Sequence, residues 1–279
     1  MNKIYKNPDI GGFDLKDSDY RKLVKIVYDC AGINLGDNKK ELVHARISKI
    51  LRKRSISGFG SYVNILADDK SGDELVSLLD AISTNVTHFF REAEHFKFIT
   101  SEFSSSSNPS DIRFWSAGCS SGEEPYTIAI TFREMWGNNS LRMPSILATD
   151  ISTKVLGKAV GGLYPEKVTS NLDKTLLKKY FLKGKGKANG LIKLKKEIAS
   201  MVDFQRLNLI EPFSFDKPFD CIMCRNVMIY FDNATREKLV AGYYNALKPD
   251  GYLIIGHSES LNGINHSFKY IKPTIYKKT

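Results

Sequence analysis

Two adjacent glutamates, Glu123 and Glu124, follow a turn whose residue types suit a ligand-binding loop. The surrounding stretch, IRFWSAGCSSGEEPY from Ile112, predicts a strand, a tight turn with two glycines, and then a helix. Glycine in such a turn lets the backbone approach a ligand closely. A nucleotide phosphate requires lysine or bare backbone amides at this position, and two carboxylates would repel it. The stretch therefore indicates a ligand that carries positive charge.

A third acid, Asp150, ends the next apolar segment, SILATD, where a strand-end aspartate would bind the hydroxyls of a ribose. Because the chain has no G-x-G-x-x-G fingerprint, the pattern favours a nucleoside over a dinucleotide. S-adenosylmethionine fits these residues, because it combines an adenosine with an ammonium group. Glu123, which is nearer to the turn, would accept hydrogen bonds from that ammonium group. The other glutamate is then expected to face solvent in the first helical turn, where the helix dipole favours an acid. Ordinary turn glycines and a strand-end aspartate are the alternative interpretation.

The elements that must position these acids alternate between strand-like and helix-like segments after residue 111. SILATDI, FDCIMC and YLIIGHSES predict strands, and the helix-like segments between them include STKVLGKAV, with Ser152 as its N-cap. This alternation predicts an α/β fold, a doubly wound and mainly parallel sheet with helices on both faces. Residues 180–204 hold a Gly/Lys-rich loop between short alternating stretches, which predicts a small antiparallel β insertion. Residues 1–82 are predicted to form an all-α N-terminal domain, and residues 83–279 the α/β domain.

One helix of the N-terminal domain has a strongly cationic face. The segment LVHARISKILRKR places apolar side chains at helical spacing, namely Leu42, Val43, Ile47, Ile50 and Leu51. The other face has the cations Lys39, Lys40, Arg46, Lys49, Arg52, Lys53 and Arg54. With a single acid among them, Glu41, this face is either a solvated surface or a docking surface for an acidic partner.

Composition narrows the class of protein and its setting. The chain has 279 residues and a net charge of +10, which predicts attraction to an acidic partner without identifying it. No segment approaches the roughly 20 apolar residues of a membrane span, and the N-terminus has no signal-peptide pattern. Four cysteines are too few for a disulfide scaffold, so a reducing cytoplasm is expected.

Five motifs, taken in order along the chain, resemble the chemotaxis receptor methyltransferase (CheR) family. They are STNVTHFFRE, WSAGCSSGEEPY, ATDIS, LNL and CRNVMIYF. The resemblance covers nearly the whole chain and implies an S-adenosylmethionine-dependent methyltransferase fold behind a helical N-terminal domain. It further implies methyl esterification of glutamates on cytoplasmic helices of methyl-accepting chemoreceptors. Whether docking also uses a C-terminal receptor tether stays open, since tether binding in the family involves the antiparallel insertion. A cytoplasmic monomer that neither binds nucleic acid nor inserts into a membrane is expected.

The same resemblance assigns site residues by motif. The implied cofactor contacts are Asn85, Thr87, Arg91, Glu123, Asp150, Asn208, Leu209, Asn226 and Val227. Arg91 and Tyr230 correspond to the two family residues beside the transferred methyl group, and His88 is given no role. Taken without the family, an Arg after two phenylalanines is typical of a surface, and a Tyr in MIYF is typical of a core.

The implied chemistry agrees with these residue types. A glutamate carboxylate, with an intrinsic pKa of about 4.3, is ionised at neutral pH and attacks a methyl group without a general base. Arg91 would orient that carboxylate through charge-assisted hydrogen bonds, and the Tyr230 hydroxyl would position the methyl group or the carboxylate.

The cysteine and histidine patterns of the chain do not indicate a metal site. CIMC (221–224) has metal-knuckle spacing but no second pair, and the histidines show no ligand spacing, so no metal is expected.

Two other functions are alternatives to receptor methylation. A nucleic-acid methyltransferase would suit the net charge, but such enzymes commonly show a D/N-P-P-Y/F strand exit where this chain has RNVMIYF. A non-catalytic nucleoside-binding adaptor is the other alternative, and it would have no need of Arg91 and Tyr230.

Overall fold

The computed structural model describes residues 12–69, 72–82, 87–137, 143–170 and 172–279. The chain divides into two compact units, Met1–Thr84 and Asn85–Thr279. No helix among the described residues is long and apolar enough to cross a membrane.

The first unit is helical, as predicted. Its helices are α1 (Asp17–Ala31), α2 (Lys40–Lys53), α3 (Phe59–Ala67) and α4 (Asp73–Ile82). In α2, Val43, Ile47 and Leu51 are buried at spacings of one helical turn. Leu42 was expected on this apolar face, but it is 39% exposed. The expectation was wrong because a residue adjacent to Val43 is rotated by about 100° around the helix axis.

The second unit is built on a seven-stranded sheet with the order β6-β2-β1-β7-β8-β10-β9. The strands of this sheet are β1 (Arg113–Ala117), β2 (Ser145–Asp150), β6 (Val202–Arg206), β7 (Phe219–Cys224), β8 (Leu247–Ile255), β9 (Lys269–Lys272) and β10 (Ile275–Lys277). The pairs from β6 to β8 are parallel, and β10 and β9 join antiparallel. The chain leaves β1 toward β2 and later returns on its other side as β7, so the strand order reverses between β1 and β7. Ligands of doubly wound sheets bind beyond the strand ends at such a point.

Helices cover both faces of this sheet. The helices of this unit are α5 (Glu94–Phe103), α6 (Glu123–Trp136), α7 (Thr153–Gly161), α8 (Lys174–Tyr180), α9 (Lys196–Ala199) and α10 (Asn233–Ala246). Successive side chains of β1 point to opposite faces, so Phe114 packs with Phe132 of α6 whereas Trp115 packs with Tyr243 of α10. The predicted doubly wound, mainly parallel α/β fold is therefore confirmed. Ser152 caps α7 as expected, because its Oγ accepts a hydrogen bond from the N–H of Val155.

A separate three-stranded antiparallel sheet has the order β3-β5-β4. Its strands are β3 (Leu163–Pro165), β4 (Phe181–Lys183) and β5 (Leu191–Leu194). The antiparallel insertion is thus present, but its composition differs from the segment 180–204. Residues 163–165 supply one strand, and β6 belongs to the main sheet, where Val202 pairs with Ile146. The alternating pattern of β6 arises because only one face of this edge strand is covered, so that Val202 and Phe204 pack against the core whereas Asp203 and Gln205 are exposed.

Candidate active site

The turn between β1 and α6 is held in left-handed backbone conformations. Gly118, Ser120 and Gly122 have φ angles of 80°, 50° and 95°. The N–H groups of Gly118 and Cys119 both donate to the carbonyl of Thr149, at 2.8 and 2.9 Å. The turn is therefore tied to the end of β2, beside the acid that the sequence analysis selected.

Asp150 joins three loops at the carboxyl end of the sheet. Its carboxylate accepts hydrogen bonds from the N–H of Ser120 and from the N–H of Ser152, both at 2.9 Å. Its carbonyl accepts from the N–H of Leu207 at 3.1 Å, at the start of the loop that follows β6. In that loop Asn208 donates to Glu211 at 3.0 Å, and Leu209 packs against the sheet core.

Glu123 and Glu124 are both turned away from solvent. Glu123 is 4% exposed and accepts a hydrogen bond from the Ser121 hydroxyl at 2.7 Å. Burial raises the pKa of Glu123, although the Ser121 bond opposes the change. Glu124 has a 13% exposed side chain and accepts from the Ser116 hydroxyl at 2.7 Å and from Arg225 at 3.0 Å. The expectation that one glutamate faces solvent was wrong, because Arg225 supplies Glu124 with a buried countercharge.

Arg225 is the centre of a buried ion network that the sequence analysis did not identify. Its side chain is 3% exposed and lies at the end of β7. It donates to Glu92 Oε2 from Nε at 3.2 Å and to Glu124 Oε2 from Nη1 at 3.0 Å. Its Nη2 donates to the carbonyl of Arg91. Burial opposes ionisation of Glu92, but the charge of Arg225 and the N–H of His257 lower its pKa overall.

The segment around Arg91 is anchored on both sides. Phe89 is buried in the core against Tyr164 and Phe181, and the N–H of Phe90 donates to Thr127 Oγ1 at 3.1 Å. Phe90 and Glu92, which flank Arg91, both have positive φ. Such backbone persists only where the surroundings enforce it. The hydrogen bond from the Arg225 side chain to the Arg91 carbonyl then places Arg91 at the carboxyl end of β7.

The loop after β7 is held by a second acid that the sequence analysis missed, Glu259. This carboxylate is 8% exposed and accepts from the N–H groups of Asn226, Val227 and Gly256 at 2.8, 3.0 and 2.6 Å. Asn226 has a φ of 61°, a strained conformation that these bonds enforce. Burial raises the pKa of Glu259, while the backbone donors oppose the change.

The other predicted residues lie in the same region of the chain. Tyr230 ends a 3₁₀ turn after Val227 and is half-buried, whereas Met228 of that turn is the core residue. Thr87 is half-buried in the segment that leads into α5, and Asn85 lies outside the described residues. Asp150 is the last residue of β2, and Gly118, Asn208 and Asn226 lie one or two residues beyond the ends of β1, β6 and β7. Because these parallel strands end at one edge of the sheet, the loops that the sequence predicted lie together there.

Comparison with known proteins identifies the family. The sequence model of the CheR methyltransferase S-adenosylmethionine-binding domain matches residues 85–277, and that of the CheR methyltransferase all-alpha domain matches residues 18–83. This chain belongs to the CheR methyltransferase family. A chemotaxis protein methyltransferase of Borreliella burgdorferi is 45% identical over 92% of this chain and 93% of the relative. That of Escherichia coli is 38% identical over 94% of this chain and 91% of the relative.

The CheR family uses S-adenosylmethionine, and the turn after β1 suits this cofactor. The turn GCSSG has no cation that would attract a phosphate, and buried or bound carboxylates, Glu123 and Asp150, lie on either side of it. Ribose hydroxyls donate to carboxylates, and an ammonium group is attracted by them. The predicted cofactor is therefore confirmed, while the contacts of single residues stay predictions.

The cysteine pair of the CIMC segment is core, as predicted. Cys221 packs in the cluster on the α6 side of the sheet, and Cys224 packs in the cluster on the α10 side. Burial raises the pKa of both thiols. Two thiols on opposite faces of one strand cannot bind one metal ion together.

The packing of Gly118 against Val227 gives a test of the cofactor turn. A Cβ at Gly118 would overlap the Cγ2 of Val227, and the φ of 80° strains any other residue. We expect Gly118→Ala to lower the free energy of unfolding by about 1–2 kcal/mol through backbone strain and by a further ~1–3 kcal/mol through overlap. Urea unfolding would measure both contributions.

Gly263→Ala is the matched control, because Gly263 also has a φ of 80° and a Cβ added there would meet nothing within 4 Å. It should show the strain contribution alone. Equal losses in the two variants would mean that Val227 moves aside, and that the turn does not need glycine for close packing.

Proposed function

We propose that this chain transfers the methyl group of S-adenosylmethionine to glutamate carboxylates on cytoplasmic helices of chemoreceptors, forming methyl esters. The observation that carries the proposal is the anchoring of Arg91 by Arg225 at the strand end beside the cofactor turn. This bond fixes the backbone of Arg91, and a guanidinium reaching from this position would orient an anionic acceptor. An adaptor that only bound a nucleoside would not need such a group. The curated relatives are chemotaxis protein methyltransferases, which supports receptors as the substrate class.

S-adenosylmethionine, when bound, would supply a sulfonium-bound methyl group to the acceptor carboxylate, and the electron pair of the carbon–sulfur bond would stay on sulfur as the carbon–oxygen bond forms. No proton is transferred, so the site needs orientation and exclusion of water more than a base. Arg91 holds the carboxylate, and the Tyr230 hydroxyl positions it or the methyl group.

The acids and loops around the turn hold the cofactor in this proposal. Asp150 accepts hydrogen bonds from the ribose hydroxyls, and Glu123 accepts hydrogen bonds from the ammonium group of the methionine portion. The remaining contacts follow the family motifs, with the adenine flanked by Asn208 and Leu209 and further contacts from Asn85, Thr87, Asn226 and Val227. The assignments of Glu123, Asp150, Asn208, Leu209, Asn226 and Val227 are supported by their places near strand ends or beside the turn. Those of Asn85 and Thr87 rest on the family motif.

A labelling experiment tests the function. The chain is incubated with methyl-labelled S-adenosylmethionine and membranes that contain chemoreceptors from the same organism. Base-labile label on the receptors is the expected result, because methyl esters hydrolyse in base. Base-stable label, label on added RNA or DNA, or no label on any acceptor would each contradict the proposal.

The exposed cations of α2 are proposed to dock the acidic receptor helices. Lys40 pairs with Asp17 at 2.5 Å and Arg54 pairs with Glu74, so part of the cationic stretch is neutralised within the unit. Lys49, Arg52 and Lys53 are exposed near the end of the same helix. Their spacing of three and four residues places them on one side of the helix.

Replacing Lys49, Arg52 and Lys53 together by glutamate should raise the receptor KM at least about tenfold at low salt, because attraction becomes repulsion. The effect should shrink as salt is added, since screening acts over about 10 Å at 0.1 M. Cofactor affinity should stay the same. Methylation rates against receptor concentration at two ionic strengths measure this.

A control variant changes the same charge elsewhere. Lys217, Lys238 and Lys269 are exposed cations of the second unit outside the small antiparallel sheet, and their triple replacement by glutamate should leave KM nearly unchanged. If both triple variants raise KM equally, net charge is responsible and α2 is a solvated surface.

We further propose that the protein acts in the cytoplasm as a monomer.

The small antiparallel sheet is a second candidate docking surface, for a receptor C-terminal tether. Leu163 and Leu182, which both pair with Lys193 of its central strand, are 50% and 55% exposed. Exposed apolar side chains on such a sheet suit an extended peptide.

A further inference from the structure

A side-chain cluster beside Arg225 has no role in the proposed methyl transfer. It consists of Glu92, His95 and His257, which come from the Arg91 segment, α5 and the turn after β8. One potential ligand atom from each lies within 4.8 Å of the other two. His95 is 1% exposed, whereas His257 is exposed at the surface. The cluster therefore has a buried side and an open side.

The hydrogen bonds of His95 determine which ring nitrogen has the proton. The Thr274 hydroxyl lies 2.6 Å from the carbonyl of Pro273, which can only accept, and 2.7 Å from His95 Nε2. We assign the hydroxyl proton to the shorter contact, so that Nε2 donates to the Thr274 oxygen. Nε2 therefore holds the proton, and Nδ1 presents a lone pair. Burial lowers the pKa of His95 to about 3, with the charge of Arg225 contributing, so the ring is neutral.

The lone pair of His95 Nδ1 faces another acceptor. Nδ1 is buried without a hydrogen-bond partner and lies 3.5 Å from Glu92 Oε2. Two acceptors at this distance, with no proton between them, repel each other unless a cation lies between them. The geometry thus points to a ligand that accepts electron pairs.

We propose that Glu92, His95 and His257 bind a divalent transition-metal ion of the zinc class. Ligand atoms at about 2.0–2.1 Å from Zn²⁺ in a tetrahedral site are about 3.3–3.4 Å apart, close to the separation of Nδ1 and Oε2. The Nε2–H bond to Thr274 is the outer bond that orients metal-binding histidines. His257 closes the site from the solvent side and gives the ion a path of entry.

Charge and ligand type both select the ion. Arg225 opposes a cation, but it is paired with two carboxyl groups, those of Glu92 and Glu124, which reduce this repulsion. Two imidazoles and one carboxylate suit Zn²⁺ and its transition-metal neighbours, whereas Mg²⁺ and Ca²⁺ prefer oxygen ligands throughout. The sequence gives no sign of this site, because α5 and the turn after β8 are far apart along the chain.

Calorimetric titration of the full-length, chelator-treated protein with Zn²⁺ tests the site. One equivalent should bind to the wild type, and Mg²⁺ should not. His257→Ala, at an exposed position, should weaken binding at least about tenfold, and Thr274→Val should weaken it about 10–100-fold. Absorption bands of bound Co²⁺ should be lost in parallel.

His44→Ala is the control, since His44 belongs to the N-terminal unit and should leave Zn²⁺ binding unchanged. Thermal melting of each metal-free variant checks that it is folded. Absence of Zn²⁺ binding to the wild type, or equal affinity in the wild type and folded His257→Ala, would overturn the proposal. Because binding is the measurement, these results do not depend on methyl transfer.

Discussion

Arg91→Ala is expected to lower methyl transfer at saturating cofactor by a factor on the order of 10² or more. The guanidinium is the group proposed to orient the acceptor carboxylate, and its backbone is fixed by the bond from Arg225 to the Arg91 carbonyl. Arg91→Lys should recover only part of the rate, because one ammonium cannot form the paired hydrogen bonds of a guanidinium. Single-turnover rates measure the effect on the chemical step.

The comparison requires variants with checked melting temperature and cofactor affinity. Arg21→Ala removes an exposed arginine from α1 and should leave the rate unchanged. A stable Arg91→Ala protein with near-normal turnover would rule out this role and leave Tyr230 and cofactor positioning as the contributors. A loss of rate that follows thermal stability would instead indicate a structural arginine.

Arg225→Met is expected to lower the free energy of unfolding by about 3–5 kcal/mol, the usual effect of removing one member of a buried ion pair. The side chain is 3% exposed, and its loss leaves Glu92 and Glu124 without their countercharge. Urea unfolding at neutral pH measures the change. Methyl transfer should also fall, because the Arg91 carbonyl loses its donor.

A triple variant separates buried charge from lost packing. Adding Glu92→Gln and Glu124→Gln to Arg225→Met removes the uncompensated carboxylates, so most of the stability should return. Methyl transfer should stay low in the triple variant, because Arg91 is still not anchored. A loss below about 1 kcal/mol in the single variant, within the range of an exposed pair, would show that the network is not buried in solution.

Local patterns were enough to predict the elements that form the site. The strand, glycine turn and helix of IRFWSAGCSSGEEPY depend on residues that are neighbours in the chain, as does the Ser152 cap. Strand-end positions such as that of Asp150 follow from the alternation of strands and helices, because parallel strands end at one edge of the sheet. The motif order was sufficient to recognise the family and its cofactor.

Pairings between distant residues were not predictable from such patterns. Arg225 meets Glu92 and Glu124 across 133 and 101 positions, and Glu259 holds Asn226 across 33. The same is true of β6, whose alternating residues suit either an insertion or a sheet edge. A local sequence pattern indicates which residues are buried. The partner of a buried charge depends instead on the strand ends that the sheet topology brings together. For Glu124, Glu259 and His95, burial and partner therefore follow from the packed sheet and its loops.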